Sequence, residues 1–212
     1  MNFRYMHRLV SPYAEVRYDL MSEVFDEVTA GVDVFPLSNL LIKAEYYHSY
    51  PTFDSTSIYS VFAVDNYEEY LVRAEYSFDA PVTVFASYAY QDYQDGDNTD
   101  NYILGARVFP LKGLSLSASV EYRNGYGGNL WGFEVTGDYR VDKKLLVSGG
   151  VQYNSYRRPD FEDDDYEDAS RFWVGAQYEV NKDMAVSARI EDNINENFDH
   201  RPLGRIAFNW TL

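Results

Sequence analysis

The side chains in this sequence with the means to do chemistry are three histidines and two acidic runs. His7, His48 and His200 show no metal-ligand spacing, and no nucleophile elbow, phosphate-binding glycine loop or HExxH helix accompanies them. His48 stands beside Ser49, a base next to a hydroxyl that could attack an ester. Neighbours on a strand point to opposite faces, however, so the two do not form a working pair there. Enzyme activity is not expected. The acidic runs, 92–100 and 160–168, are rich in oxygen ligands, and Asp95, Asp97 and Asp100 are a weak calcium candidate. They lack a bidentate Glu at the proper distance, so a solvated run of charge is the better reading and no metal or cofactor is expected. The chain has no cysteine, hence no disulfide, no thiolate metal site and no C-x-x-C-H for haem attachment.

The balance of charge excludes another class. Eighteen Lys and Arg against 34 Asp and Glu leave a net charge of −16, which repels the phosphates of a nucleic acid. Aromatics make up 17% of the chain, with 21 Tyr against 3 Trp, and such side chains favour a pleated surface. Nothing approaches the roughly 18 consecutive apolar residues of a spanning helix. A mean hydropathy of −0.43 is also what a chain gives when only alternate residues face lipid.

Period-two alternation runs from Tyr13 to the end of the chain. In 114–123, Leu114, Leu116, Ala118, Val120 and Tyr122 share one face, while Ser115, Ser117, Ser119, Glu121 and Arg123 share the other. The same pattern recurs in 70–78, 82–90, 131–141 and 184–191, and more weakly in 14–18, 28–34, 40–46, 102–108, 145–153 and 172–180. This reads as about twelve strands, most near the roughly 9–11 residues that cross a bilayer at a tilt. Short Pro, Gly, Asn and Asp links at 36–39, 79–81, 110–113, 142–144 and 181–183 alternate with mostly longer polar ones at 51–66, 93–100, 157–169 and 192–202; the link at 124–128 is the shortest of that second set.

A soluble sandwich or lipocalin-like barrel would alternate too, but its bulky apolar face would fill a core. Here charges sit in mid-strand on nearly every polar face, which favours an all-β, transmembrane, antiparallel up-and-down β-barrel with short periplasmic turns and longer extracellular loops. The candidate lumen-lining residues are Lys43, Glu45, Arg73, Glu75, Arg107, Glu121, Arg123, Glu134, Asp138, Arg140, Arg189, Glu191 and Arg205, expected to pair across strands in a ladder. The candidate membrane-interface aromatics are Tyr70, Tyr88, Tyr90, Tyr122, Trp131 and Tyr153 with Phe172 at one end of the strands, and Tyr139, Tyr178 and Trp210 at the other.

The alternation, acidity and loop asymmetry resemble Gram-negative outer-membrane barrels over essentially the whole chain. The most specific feature is the last strand, where Ile206, Phe208, Trp210 and Leu212 alternate as in the assembly-signal strand of that class, although the class usually closes on Phe or Trp. The resemblance implies the outer membrane with a periplasmic C-terminus. It also implies lipid, lipopolysaccharide and the barrel-assembly machinery as partners, with any divalent ions bridging acidic loops to lipopolysaccharide. The expected function is a porin-like channel for passive diffusion of small hydrophilic solutes. The alternative is a structural barrel that sheathes or anchors a partner, or a surface interaction protein: the segment 45–54 loosely resembles barrels of porin–cytochrome conduits, which would make a multihaem cytochrome the partner. A homo-oligomer is also open. The first eight residues lack the apolar region of an export signal, so that signal has been removed or the chain is the C-terminal part of a longer barrel. On that reading 1–12 are the end of a preceding strand and turn, or an N-terminal tail, and 13–212 are the barrel.

Overall fold

The residues that alternate in the sequence form strands throughout. The structure, a computed structural model, describes residues 1–20, 23–50, 66–79, 81–94, 96–126, 128–157, 166–196 and 198–210. Leu212, Asp95, Ala80 and the segments 51–65 and 158–165, which hold most of the second acidic run, lie outside them.

Thirteen strands follow one another in chain order: β1 (Asn2–Arg4), β2 (Val10–Asp19), β3 (Val24–Leu37), β4 (Leu40–Ser49), β5 (Tyr67–Ser77), β6 (Val82–Tyr93) and β7 (Asn98–Leu111). Then come β8 (Leu114–Gly125), β9 (Asn129–Arg140), β10 (Leu145–Arg157), β11 (Glu167–Asn181), β12 (Met184–Asn195) and β13 (Phe198–Trp210). They make one sheet in sequential order from β1 to β13, and the strand pairs within β1–β5 and β9–β13 are antiparallel. This is the up-and-down arrangement expected from the alternation. The chain divides into two compact units: β1–β5 belong to the first, β9–β13 to the second, and β6, β7 and β8 contribute residues to both.

The strand beyond the expected twelve is β1, and β2 starts at Val10, so the link between them lies at 5–9. The longer links also shrink. Asn98, Thr99 and Asp100 belong to β7, and β12 and β13 extend through most of 192–202, leaving only residues 196–197 between them. Polar residues there read as loop, yet their backbones continue the ladder, because an edge open to water tolerates polar side chains on a strand. The asymmetry of link length therefore rests on 50–66 and 158–166.

Local chemistry sets the short turns. In the link after β9 the Asp142 carboxylate accepts hydrogen bonds from the Lys144 and Leu145 N–H groups, at 2.6 and 2.9 Å. Those two bonds hold it below the ordinary carboxylate range. In the link after β11 the Asn181 side chain accepts from the Asp183 N–H at 2.8 Å, the same side-chain mimicry of a turn. One bulge stands out in the first unit. Arg17 pairs with Glu27 and Tyr18 with Phe25, so Asp26 is the extra residue of β3.

The burial pattern is the reverse of a soluble protein's. Along β8, Leu116, Ala118, Val120 and Tyr122 are exposed while Ser115, Ser117, Ser119, Glu121 and Arg123 are half-buried. Along β13, Ile206, Phe208 and Trp210 are 69%, 75% and 74% exposed. Among the described residues the buried apolar side chains are Phe85 and Ala89. An apolar face this exposed on strand after strand is stable only against an apolar medium.

Two outcomes test this arrangement. Ile190→Arg, in the middle of the apolar face of β12, is expected to cost roughly 2–4 kcal/mol of folding free energy in lipid vesicles. Ser187→Arg on the polar face of the same strand should cost little, and urea titration of vesicle-folded protein reads both. At the turn, the folded state depresses the Asp142 pKa, so its contribution is present above the unfolded-state pKa and lost as pH falls through the folded value. Asp142→Ala should therefore lower stability at neutral pH and flatten the acid limb of a stability–pH curve, with little change at the lowest pH.

Candidate functional site

The polar face of each unit carries the candidate site, and the registers place the expected residues on it. In the first unit Glu45 pairs with Gly31 and Leu71, Lys43 with Asp33 and Arg73, and Leu41 with Glu75, so all four expected charges share a face. In the second, Glu134 is level with Gln152, Asp138 with Ser148 and Arg140 with Leu146 on β10. Arg189 pairs with Arg205, and Glu191 with Leu203. Glu121 and Arg123 are half-buried on either side of the exposed Tyr122, whereas Arg107 is exposed between the half-buried Ala106 and Val108.

The ion pairs run both along strands and between them. Lys43–Glu45 (2.8 Å), Arg73–Glu75 (2.6 Å) and Arg189–Glu191 (3.0 Å) are each two residues apart on one strand. The expected cross-strand ladder is thus only partly present. The reason is geometric: residues i and i+2 share a face about 7 Å apart, within reach of long side chains. Cross-strand pairs do occur at the bulge, where Arg17 meets Asp26 at 2.7 Å and Glu27 at 2.8 Å. They also occur at Arg4–Asp33 (3.6 Å) and, more loosely, Arg171–Glu134 (4.0 Å). Part-exposed pairs of this kind contribute about 0–1 kcal/mol each. Their consequence is a fixed pattern of charge on a polar wall, not the stability of the fold.

Several polar-face residues were not anticipated. In the second unit the rows Gln152–Arg171–Asn193–Arg201 and Gly150–Trp173–Glu191–Leu203 run across β10 to β13. The Trp173 ring has the Arg171 guanidinium 5.2 Å from its centre and that of Arg189 at 5.1 Å. Gly150 makes room for it, since a Cβ there would strike the indole. In the first unit Tyr13 lies across Gly31 in the same way and hydrogen-bonds Glu45. The period-two pattern of β11 already puts Arg171 and Trp173 opposite Phe172 and Val174, so this signal was readable. The bulge at Asp26 was not.

The expected interface aromatics all stand on the apolar face. Tyr70, Tyr88, Tyr122, Trp131, Tyr139, Phe172, Tyr178 and Trp210 are exposed; Tyr90 and Tyr153 are half-buried. Neighbours touch: Tyr46–Tyr70 at 5.3 Å, Tyr88–Tyr102 at 4.9 Å and Trp131–Tyr153 at 5.4 Å between ring centres. Ile206 and Phe208 share the face of Trp210. His48 and Ser49 do point apart, His48 pairing with Val28 and Ser49 with Glu27. His200 has its Nδ1 2.7 Å from Asp192. Among the described residues no cluster of His, Asp and Glu has the geometry of a metal site; of the candidate ligands, Asp95 is outside them.

This architecture, sequential antiparallel strands with one exposed apolar face and one polar face, is the fold of the outer-membrane β-barrels. Solved structures agree. The chain matches a loop-deletion variant of OmpT, an outer-membrane protein of Vibrio cholerae, with a TM-score of 0.67 and 11% identity over 96% of this chain and 76% of that one. OccAB4 of Acinetobacter baumannii gives 0.67 at 8% identity over 99% and 63%, and a porin gives 0.61 at 17% over 92% and 65%. Identities this low establish the fold alone. No family model and no curated protein matches the sequence.

Gly150→Val should push Trp173 off β10 and break the Arg171–Trp173–Arg189 stack. A loss of about 1–3 kcal/mol, with a red shift of tryptophan emission, is the expected outcome in detergent unfolding experiments.

Proposed function

We propose that this protein is an outer-membrane channel through which small hydrophilic solutes and ions diffuse passively. The observation that carries the reading is the exchange of faces. Apolar side chains are exposed on strand after strand, and the charged residues lie on the opposite face in short, half-exposed pairs. A sheet with that distribution suits lipid on one side and water on the other. Similarity of fold to a porin and to OccAB4 supports the same reading.

In this proposal the charged face lines the aqueous path. Orientation follows from the two longest links, 50–66 and 158–166, which are placed outside the cell, so that β13 descends and the C-terminus is periplasmic. The aromatic residues of the apolar face then sit at the headgroups. Ile206, Phe208, Trp210 and Leu212 form the segment read by the assembly machinery.

Charge on the wall selects ions at close quarters. Refolded protein in planar bilayers should show discrete conductance steps; a correctly folded preparation that never opens would sink the channel reading. Replacing Arg171 and Arg189 together by Glu should shift the reversal potential toward cation preference, while Arg107→Glu, on an exposed side chain, should shift it less.

A further inference from the structure

Aromatic residues on the apolar face suit a membrane interface, but Tyr47, Tyr67, Tyr93 and Tyr126 lie off that face, as Tyr13 does. Tyr47 (β4) pairs with Thr29 and Glu69, and Tyr67 (β5) with Ser49, which puts both on the polar face of the first unit. Tyr93 (β6) and Tyr126, just past β8, continue the row: ring centres are 5.8 Å apart for Tyr47–Tyr67, 5.6 Å for Tyr67–Tyr93 and 4.5 Å for Tyr93–Tyr126. The result is an arc of four rings spanning neighbouring strands, all at the strand ends that face the 50–66 and 94–97 links. No lipid interface accounts for rings on this face.

The arc is bordered by groups that can exchange hydrogen bonds with hydroxyls. Glu69 accepts from the Gln91 amide at 2.6 Å, and Gln91 accepts from the Tyr93 hydroxyl at 2.9 Å. A cleft of about 480 Å³ opens at the same strand ends, lined by Tyr67, Tyr93, Asn66 and Gln94 and, from the alternate positions of the strands, by Glu68 and His48. Asn66 donates to Gln94 across its floor at 2.8 Å, and His48 Nδ1 is buried there with no hydrogen-bond partner.

We propose that this arc and cleft bind a neutral saccharide. The C–H face of a pyranose packs on tyrosine rings, while its hydroxyls need the amide and carboxylate groups of Gln91 and Glu69 that border them. Asp26 and Glu27 are held by Arg17, and Glu45 by Lys43, which leaves Glu68, Glu69 and Asp92 as the carboxylates beside the arc and cleft. An anionic solute would meet Glu68, Glu69 and Asp92. The proposal rests on the channel reading for its purpose but not for its test, because binding is measured without conduction.

The test is titration of the folded full chain in detergent with maltohexaose, a linear neutral glucose hexamer, followed by calorimetry and tyrosine fluorescence. Saturable binding is expected, weakened roughly three- to tenfold for each ring removed in Tyr67→Leu and Tyr93→Leu. Tyr139→Leu, on the apolar face of β9, should bind as the unaltered protein does, and gel mobility before and after heating confirms that each variant is folded. Absence of saturable binding by folded protein overturns the proposal, as does equal binding by Tyr67→Leu. Binding of tetraethylammonium in place of the hexamer overturns it in favour of a cation site. Binding without conductance steps would leave this site standing and remove the channel; conductance without binding would do the reverse.

Discussion

Hydrogen bonding between neighbouring strands is the constraint on which the rest of this structure depends. With Phe85 and Ala89 the buried apolar side chains among the described residues, no hydrophobic interior holds the strands together. The backbone must therefore satisfy its own N–H and C=O groups, and the antiparallel registers of β2–β5 and β9–β13 do so nearly without interruption. In a hydrocarbon medium an unpaired group costs several kcal/mol, so a break in a ladder is more serious there than in water. That explains why irregularities fall near strand ends: the shifts at Asp26, at 34–37 on β3, at 179–181 on β11 and at 193–195 on β12.

Once the ladders are fixed, each side chain has only two places to go. Period two assigns Val120 to one medium and Glu121 to the other with no further choice. The polar face must then settle charges that the ladder has brought side by side. It does so with partners two residues away on the same strand, and with aromatic rings laid over glycine, as Tyr13 over Gly31 and Trp173 over Gly150. A strand glycine exposes backbone and packs nothing; the facing ring covers the gap and gains a fixed orientation from it.

The sequence carried the fold further than it carried the site. Alternation in 114–123 or 184–191 is long and regular, so the strands, their faces and the apolar position of Tyr70, Tyr122 and Trp131 could all be read by parity. The strand ends could not. Asn98, Thr99 and Asp100 have the composition of a loop, yet β7 begins with them, and Thr99 is fully buried against the backbone of Tyr126. Whether a polar segment extends a ladder depends on what the adjoining strand offers it, which composition does not show. The same holds for partners: Lys43 is visibly charged in the sequence, but that it turns to Glu45 on its own strand and not to Asp33 across from it is decided by rotamer and crowding.

The tyrosines show where composition misleads. Twenty-one of them read naturally as strand formers with a girdle at each end of the barrel. Parity divides them more sharply. Tyr46 and Tyr70 meet on the apolar face, while Tyr47 and Tyr67, one and three residues away in the chain, meet on the polar face. At the proposed membrane interface the first pair would exchange water for headgroups and gain by burying its rings. The second sits among Glu69, Gln91 and Ser49, where a ring gains little from its surroundings and most from another ring. Tyrosine on a polar wall is therefore not explained by strand propensity alone, since Thr or Val would serve the backbone as well. What distinguishes it is a flat apolar surface carrying a hydroxyl at its edge, a combination of use to a solute that has both characters.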